Sequence, residues 1–376
     1  MMRRARRHIM MTTDTVGGVW VYATSLARAV AAQGDRVTLV TLGPPPNENQ
    51  RRILDQLSPN IQFVITDLAL EWMDPAGKDR RRAAEVLLAI AHERRPDIIH
   101  LNSFREGAIA WPAPVLVVAH SCVMTWWQAC RGGAPSEPRW KIYANAVNAG
   151  LCAADAWVAP TTAFRNSIAE LYAPSTEGIV VHNGIDAVAE HTAQKRDVIL
   201  ASGRIWDCAK GLTTLLAAAP HPPWPVEIAG PTRGPNGEVA PQGENVLSLG
   251  KLPHDRLLKQ MADAAIYAAP ARYEPFGLGI LEAAAAGCAL VLSDIPTLRE
   301  LWDDAAIFVA PGDEPGLAAA LCTLCADLNL RTGLQDAARA RARRYTAKTM
   351  SDQYSALYDA LLGRASPAII HREARA

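Results

Sequence analysis

The 376-residue sequence has few cysteines, no excess charge of either sign and no long apolar run. Its seven cysteines are scattered and odd in number, which is typical of reduced thiols rather than of a disulfide framework. Lysine plus arginine number 38 and aspartate plus glutamate also number 38, so the basic excess expected of a protein that binds duplex nucleic acid is missing. No segment approaches the roughly 18 apolar residues of a membrane helix. Nucleic-acid binding and a bilayer span are therefore disfavoured.

Two motifs that suggest special chemistry have simpler interpretations. Cys322 and Cys325 form a C-x-x-C within a predicted helix, but no second Cys/His pair lies nearby to complete a zinc site, so we interpret them as core residues. The N-terminal arginines precede an apolar stretch that is too short for a secretory signal. We interpret them as a solvated tail of a cytoplasmic protein, and attachment to anionic lipid headgroups at the membrane periphery is the alternative. These arginines are Arg3, Arg4, Arg6 and Arg7.

Short apolar or β-branched runs alternate along the chain with longer stretches of helical periodicity. Several runs are apolar at almost every position, which is typical of parallel strands covered by helices on both faces. Two doubly wound α/β domains are therefore predicted. The predicted strands are 8–14, 36–42, 61–67, 97–102, 114–120, 156–160, 178–182, 197–203, 225–230, 245–250, 264–270, 289–294 and 306–311.

The domain boundary is predicted at the Asn183-Gly184 turn, because charged residues cluster after it. A linker over 184–196 then separates a first domain, 1–184, from a second, 185–349. A last helix has apolar residues spaced from Met350 to Leu361, and its periodicity is compatible with packing on either domain. The final dozen residues are predicted to be a frayed tail.

Ligands of doubly wound sheets bind beyond the carboxyl ends of the strands, so polar residues there are candidates for chemistry. Glu274 follows one predicted strand, and a helix is predicted to begin near Gly277 or Leu278, with Glu282 in its first turns. Backbone N–H groups at a helix start bind phosphate, and carboxylates accept hydrogen bonds from sugar hydroxyls. The alternative is an ordinary turn with solvated carboxylates.

Two further loops follow strands in the same way. Arg204 and Lys210 are six positions apart, a spacing that permits two cations to clamp a diphosphate, although solvated surface charges are the simpler alternative. Gly17 and Gly18 follow the first strand, where adjacent glycines permit close approach to a ligand or form a plain turn. The G-x-G-x-x-G fingerprint of nicotinamide-dependent dehydrogenases is absent there.

His120 ends another predicted strand, where a histidine donates to a substrate hydroxyl, carries a proton or serves a structural role. Trp126 and Trp127 follow it, and they are suited either to an apolar platform for an acceptor or to closing the domain.

Together these motifs resemble the retaining glycosyltransferases of the GT-B fold that carry an E-x7-E motif, a family that includes sucrose synthase. Glu274 and Glu282 have that spacing within E-P-F-G-L-x-x-L-E-A, and the resemblance runs from Gly17 to Gly312, most of the chain. It implies two Rossmann-like domains that face each other across a cleft. In this family the last helix often crosses back onto the first domain, so 350–376 is assigned to the N-terminal, acceptor-side domain.

The resemblance also implies roles for the candidate residues. Glu282 would hold the ribose, Glu274 the donor sugar, and the backbone around the start of the following helix the sugar and phosphate. The two cations would bind the diphosphate, the glycine pair would close over it, and the histidine would meet the sugar near the reacting carbon. The residues so assigned are Gly17, Gly18, His120, Arg204, Lys210, Glu274, Phe276, Gly277, Leu278 and Glu282.

The resemblance further implies catalysis without a metal or other cofactor, with the nucleoside-diphosphate sugar as co-substrate. Retention would follow a front-face path in which the departing phosphate helps to deprotonate the acceptor, and Glu274 need not be a nucleophile. The sequence departs from the family pattern in two places: five residues rather than four separate Arg204 from Lys210, and Ser121 follows His120 where an acidic residue is frequent. The extra residue predicts a bulge in the clamp loop.

The function predicted from the sequence is transfer of a hexose from a nucleoside-diphosphate sugar to a small-molecule, glycan or lipid-linked acceptor. A nucleotide-sugar epimerase on the same fold and a non-catalytic sugar-nucleotide binding protein are the alternatives. The loops expected to select the acceptor are 72–79 and 121–139.

Overall fold

The protein divides into two compact units. The structure, a computed structural model, describes residues 6–186, 194–234, 237, 239 and 243–364. The first unit comprises the described residues of 1–127, 133–186 and 347–376, and the second comprises those of 128–132 and 187–346. The chain thus changes unit after residues 186 and 346, where the sequence analysis placed the changes after 184 and 349. Part of the predicted linker and all of the predicted tail lie outside the described residues.

The first unit is built around a seven-stranded sheet in the order β3-β2-β1-β4-β5-β6-β7, and each of its strand pairs is parallel. Its central strands are buried along their whole length, which explains their continuous apolar runs. The elements are β1 (His8–Asp14), α1 (Gly18–Ala32), β2 (Arg36–Leu42), α2 (Glu48–Asp55), β3 (Ile61–Ile65), α3 (Arg80–Arg94), β4 (Ile98–Leu101), β5 (Val115–Val118), α4 (Val123–Arg131), α5 (Pro138–Ala153), β6 (Ala156–Ala159), α6 (Thr162–Tyr172) and β7 (Ile179–Val180).

The second unit has a six-stranded parallel sheet in the order β10-β9-β8-β11-β12-β13. Its core consists of side chains from the strands and from two covering helices, including Ile266, Leu215 and Leu321, each fully buried. The elements are β8 (Arg196–Ser202), α7 (Leu212–Ala218), β9 (Val226–Ala229), β10 (Val246–Gly250), α8 (His254–Asp263), β11 (Ala264–Ala269), α9 (Leu278–Ala285), β12 (Ala289–Ser293), α10 (Pro296–Trp302), β13 (Ile307–Val309), α11 (Glu314–Ala326) and α12 (Leu328–Ala342).

Each of the thirteen predicted strands is present, and the prediction of two doubly wound α/β domains is confirmed. Most strands are shorter than predicted. The run 114–120, for example, becomes β5 at Val115–Val118, and the run 178–182 becomes the two-residue β7. The residues lost are mainly Gly, Pro and polar residues at the ends of the runs, which form turns instead of ladder hydrogen bonds.

The last helix, α13 (Ala347–Leu361), belongs to the first unit. It packs on α1, and its Tyr354 and Tyr358 are fully buried. The Tyr358 hydroxyl lies 2.7 Å from Nδ1 of His100 on β4, so polar contacts as well as apolar ones hold the helix. Its apolar spacing alone left the choice of domain open.

The interpretation of the N-terminal arginines as a solvated tail is wrong for Arg7. Its side chain is fully buried just before β1, with Nη2 at 2.5 Å from Oδ2 of Asp35 and Nη1 at 2.6 Å from the Ser355 carbonyl of α13. A buried guanidinium needs such partners because it cannot lose its charge. Arg6 is exposed and donates to Asn60, while Arg3 and Arg4 lie outside the described residues.

The C-x-x-C motif lies on α11, as predicted, and both thiols are half-buried. Cys325 packs against the core of the second unit, which confirms the core interpretation for that residue. No single helix of the described residues is long and apolar enough to cross a bilayer. Helices α11 and α12 pass that test of length and composition only as a pair, and the chain bends by 102° between them.

Candidate functional site

The loop between β11 and α9 carries the E-x7-E motif, and α9 begins at Leu278 as predicted. Gly277 precedes it with φ at 87°, a left-handed conformation, and a Cβ atom there would lie 2.8 Å from Cδ1 of Ile280. Only glycine fits this position without strain. The first N–H groups of α9 have no acceptor inside the helix and are therefore available to an anion. The Phe276 side chain is buried against Tyr345, so only its backbone is suited to a ligand.

Glu274 and Lys210 come together although 64 residues separate them. Nζ of Lys210 lies 2.6 Å from Oε2 of Glu274, and both side chains are partly exposed. The Thr297 hydroxyl donates to the Glu274 carbonyl at 2.6 Å and so anchors the loop between β11 and α9. A carboxylate and an ammonium are thus placed in contact at one edge of the sheet.

Glu282 is buried, which contradicts the alternative of a solvated carboxylate. Its side chain is only 7% exposed, and its Oε1 lies 2.7 Å from Nε2 of His254 at the start of α8. The sequence analysis missed His254. It follows the carboxyl end of β10 by four residues, so the rule that located the other candidates could have found it.

Arg204 is held by the loop that carries it. Its Nη2 lies 2.7 Å from Oδ2 of Asp207, and its guanidinium stands over the Trp206 ring at 5.6 Å. Asp207 also accepts from the Ala209 N–H at 3.0 Å and so caps a short 3-10 turn over Cys208–Lys210. The five residues between the two cations thus include a 3-10 turn.

The loop of the two cations and the loop of Glu274 are joined by their backbones. Strands β8 and β11, which the two loops follow, are neighbours in the sheet. The N–H of Arg272 donates to the Ala209 carbonyl at 2.8 Å. The second unit therefore places two cations, two carboxylates and a helix N-terminus at one sheet edge, a combination suited to a diphosphate that bears sugar hydroxyls.

Gly211→Ala is expected to destabilise the protein by about 2 kcal/mol or more. Gly211 has φ at 61° and a Cβ there would lie 1.8 Å from the Pro270 carbonyl oxygen, so a left-handed alanine, which costs about 1–2 kcal/mol, also meets a backbone clash. Urea unfolding measures the loss. Gly333→Ala is the control, because its site on α12 is open and alanine there is expected to be neutral or stabilising. An equal effect of both substitutions would contradict the prediction.

In the first unit, the Gly17-Gly18 turn joins β1 to α1. Oδ1 of Asp14 accepts from the N–H groups of Val16 at 2.9 Å and Gly17 at 3.2 Å, which shapes the turn. Apart from its two neighbours along the chain, no described residue has a heavy atom within 4 Å of a Cβ built on Gly17. The turn is thus open above its backbone, as a site of close ligand approach requires.

His120 lies just after β5 and is held by Asn102, which follows β4. Nδ2 of Asn102 donates to the Thr12 carbonyl at 2.5 Å, so its Oδ1 faces Nε2 of His120 at 2.7 Å and accepts a hydrogen bond from the Nε2–H group. The ring also packs on Tyr22, with 4.4 Å between centroids. Burial lowers the pKa of His120 to about 3. The imidazole is therefore neutral at pH 7, with Nδ1 as an acceptor, and its role towards a substrate stays a prediction.

Acidification is expected to destabilise the first unit through His100. Burial lowers the pKa of His100 to about 3 from 6.5, so between these values the unfolded chain holds one more proton, and stability falls as the pH falls. The free energy of unfolding of the wild type, relative to His100→Gln, is expected to decline by about 1.4 kcal/mol per pH unit from pH 6 to 4.5. The exposed His221→Gln is the control, and a pH-independent difference for His100→Gln would contradict the prediction.

Trp126 and Trp127 lie on α4 within a chain of aromatic contacts. The Trp127 and Trp140 rings are 6.2 Å apart, and Trp140 contacts Tyr143 in turn. Both tryptophans of the pair are half-buried, so they pack within the domain and also present surface.

Within the residues that the structure describes, no group of three or more His, Cys, Asp or Glu side chains is arranged to hold a metal ion.

Two family models match the chain, one for each unit. The model described as Glycosyltransferase Family 4 matches residues 16–188, and that described as Glycosyl transferases group 1 matches residues 196–327. The first match contains the Gly17-Gly18 turn and His120, and the second contains Arg204, Lys210 and the E-x7-E motif. Each match thus includes the candidate residues of its unit.

Curated relatives and solved structures agree with these matches. The chain is 28% identical to a glycogen synthase of Mycobacterium tuberculosis, over 88% of this chain and 87% of the relative. It is similar in structure to the sucrose-phosphate synthase of Thermosynechococcus elongatus, with a TM-score of 0.79 and 20% identity over 96% of this chain and all of the other. Anabaena HepE, solved with UDP-glucose, has a TM-score of 0.74 and 19% identity over 94% of this chain and all of HepE.

Proposed function

Because the chain belongs to the glycosyltransferases of the GT-B fold that use nucleotide-sugar donors, we propose that it transfers a hexose with retention of configuration and without a metal ion. The observation that carries the proposal is the contact between Lys210 and Glu274 beside the loop of Arg204. This arrangement provides fixed positive charge and a hydroxyl acceptor at one place. A nucleoside-diphosphate sugar has the matching groups, a diphosphate and sugar hydroxyls.

The donor is bound chiefly by the second unit in this proposal. Glu282 accepts hydrogen bonds from the ribose hydroxyls through the oxygen that His254 does not occupy, and His254 orients the carboxylate. The N–H groups at the start of α9 bind phosphate oxygens. Glu274 accepts from hydroxyls of the donor sugar. In the first unit, the N–H groups at the start of α1 and Nδ1 of His120 are suited to phosphate oxygens and hydroxyl groups.

Departure of the nucleoside diphosphate is the step that the two cations assist. Negative charge grows on the leaving phosphate as the glycosidic bond breaks, and donors fixed beforehand stabilise that charge without reorganisation. Arg204 and Lys210 are held by Asp207 and Glu274 before any donor arrives, so both are pre-oriented. One guanidinium and one ammonium group perform here the charge stabilisation that a metal ion would otherwise supply, which supports metal independence.

Retention follows a front-face path in the proposal. The leaving phosphate oxygen takes the acceptor proton, and the acceptor oxygen bonds to the anomeric carbon on the face from which the phosphate departs. Glu274 is engaged by Lys210 at 2.6 Å and needs only to position the sugar. This assigns every proton to a group already present in the two substrates.

A glycan is the proposed acceptor, because one of the relatives that match most of the chain is named as a glycogen synthase; two others are named as D-inositol 3-phosphate glycosyltransferases, which makes a small phosphorylated polyol the alternative acceptor. The lipid-linked alternative rested on the N-terminal arginines, of which Arg7 is part of the folded core. The test is incubation with UDP-glucose and other nucleotide sugars, with and without oligosaccharide acceptors, followed by NMR of the products. We expect a new glycosidic bond of the donor's anomeric configuration, formed equally well in EDTA.

Other results would identify the alternatives. A donor epimerised without an acceptor would show an epimerase, and saturable nucleotide binding without turnover on any acceptor would show a binding protein. An inverted product would refute retention, and loss of activity in EDTA would refute metal independence. Transfer to a polyprenyl-phosphate or phosphoinositide acceptor alone would show that the acceptor is lipid-linked and not a glycan.

Glu282→Ala is expected to weaken nucleoside-diphosphate binding by about tenfold or more, because a charge-assisted hydrogen bond contributes about 1.5–3 kcal/mol. Isothermal titration with UDP and the other nucleoside diphosphates measures the effect. Glu170→Ala, at an exposed glutamate of α6, is the control and is expected to bind as the wild type does. Unchanged affinity in Glu282→Ala would remove this residue from the nucleotide site.

A further inference from the structure

A concave basic site lies at the amino-terminal edge of the sheet in the first unit. It has a volume of about 390 Å³, within the roughly 300–1,000 Å³ of small-molecule sites. Arg6 precedes β1, Arg36 begins β2, and Arg94 and Arg95 end α3. The Gly17 turn and His120 lie at the opposite, carboxyl-terminal edge of the same sheet, so this site is separate from the proposed transfer chemistry.

The acidic residue of this site does not neutralise its arginines. Asp97 uses its carboxylate to accept from the His8 N–H at 2.7 Å. Among the described residues, the guanidinium groups of Arg36 and Arg95 lie within ion-pair distance of no carboxylate. Arg94 pairs with Glu93 at 3.3 Å, while its buried Nε meets no acceptor. The nearby charge of Arg36 adds to burial in lowering the pKa of His8. The site therefore has an unbalanced positive charge.

Ordinary structural needs account for only part of this arrangement. A helix C-terminus favours basic residues, which explains arginines at the end of α3. It does not explain Arg36 and Arg6, which come from other segments and face the same concavity. Arg95 also has φ at 49°, a conformation that costs a non-glycine residue about 1–2 kcal/mol. Several like charges converging in one recess repel each other unless an anion lies between them.

We propose that this recess is a binding site for a phosphate group, carried either by a soluble phosphate or sugar phosphate or by an anionic lipid headgroup. Guanidinium forks match phosphate oxygens in geometry as well as in charge. Arg36 and Arg95 are the main ligands, since both are exposed and without an ion-pair partner in the described part of the chain. Arg94 and Arg6 border the same volume.

The test compares two double variants of the full chain that lose the same charge. Arg36→Gln with Arg95→Gln removes the main ligands, and Arg51→Gln with Arg344→Gln removes two exposed arginines elsewhere. Binding of inorganic phosphate is measured by calorimetry at constant ionic strength, because salt alone screens surface charge. We expect at least about tenfold weaker binding in the first variant and wild-type binding in the second. Both retain the donor site, so its contribution cancels.

A second arm identifies the source of the phosphate. Sedimentation with vesicles of phosphatidylcholine, alone or mixed with phosphatidylglycerol, is compared for the same proteins. Binding to the mixed vesicles that is lost only in the Arg36/Arg95 variant supports the site and assigns it to a lipid headgroup. Loss of phosphate binding alone assigns it to a soluble ligand. If the Arg36/Arg95 variant matches the control variant with both probes, or the wild type binds neither, the proposal is overturned, whatever the outcome for glycosyl transfer.

Discussion

Replacing Lys210 with alanine is expected to lower kcat about 100–1,000-fold, the loss that follows removal of one preorganised transition-state donor. The ammonium is fixed by Glu274 at 2.6 Å before substrate binds, so it meets the growing charge on the leaving phosphate without reorganisation. Binding of the ground-state donor should fall less than turnover does, because the charge on the leaving group grows in the transition state. Steady-state kinetics with the donor and acceptor that the product assay identifies measure both quantities.

The control for Lys210→Ala is Lys259→Ala, an exposed lysine on α8. It is expected to retain wild-type kcat. Lys210→Ala leaves Glu274 without its ammonium partner, so thermal unfolding is recorded to separate a folding defect from a catalytic one. A Lys210→Ala protein that folds normally and turns over at the wild-type rate would remove the cation from the mechanism.

Arg7→Ala is expected to destabilise the first unit by about 3–5 kcal/mol, because it removes the guanidinium that pairs with the buried Asp35 carboxylate. Asp35 is almost fully buried and loses Nε and Nη2 of Arg7, at 3.2 and 2.5 Å. The Ser355 carbonyl loses its donor, and Asp359 loses an ion pair at 3.1 Å. The attachment of α13 to β1 and α1 weakens at the same time. Denaturant unfolding followed by circular dichroism measures the loss.

Arg6→Ala provides the matched control for Arg7→Ala, since the neighbouring side chain is exposed and is expected to change stability by less than about 0.5 kcal/mol. Arg7→Ala combined with Asp35→Ala is expected to lose less than the sum of the single losses, because the second change removes the buried carboxylate that has lost its guanidinium. Equal, small effects of Arg6→Ala and Arg7→Ala would show that the buried network adds nothing to stability.

The strands were predictable because each signal is local. A run such as 36–42 is apolar or β-branched at nearly every position and ends in a turn, and β2 occupies those seven residues. The domain on which the last helix packs could not be predicted from local signals. Its apolar stripe was clear in the sequence, but its hydroxyl and carbonyl contacts to His100 and Arg7 span more than 250 residues.

In the candidate site, too, the residues were predictable from local signals, whereas most of their contacts were not. Glu274, Glu282, Arg204 and Lys210 were found by their spacing and by their position after strands. The contact between Glu274 and Lys210, and the partners of the other two, were not predicted, because pairing depends on which loops become neighbours. His254 meets Glu282 only because β10 and β11 belong to one sheet, and Asp207, which holds Arg204, was not among the candidates.

The sequence by itself determined two α/β units, the order of their elements and the motif shared with the glycosyltransferases, since these are set by local patterns of apolar, glycine and charged residues. Tertiary structure decided which charges are buried and which remain available. Arg6 and Arg7 are adjacent and chemically identical in the sequence, yet one is exposed and the other is fully enclosed by β1, α1 and α13. The difference arises because burial depends on contacts with distant segments, which no local pattern records.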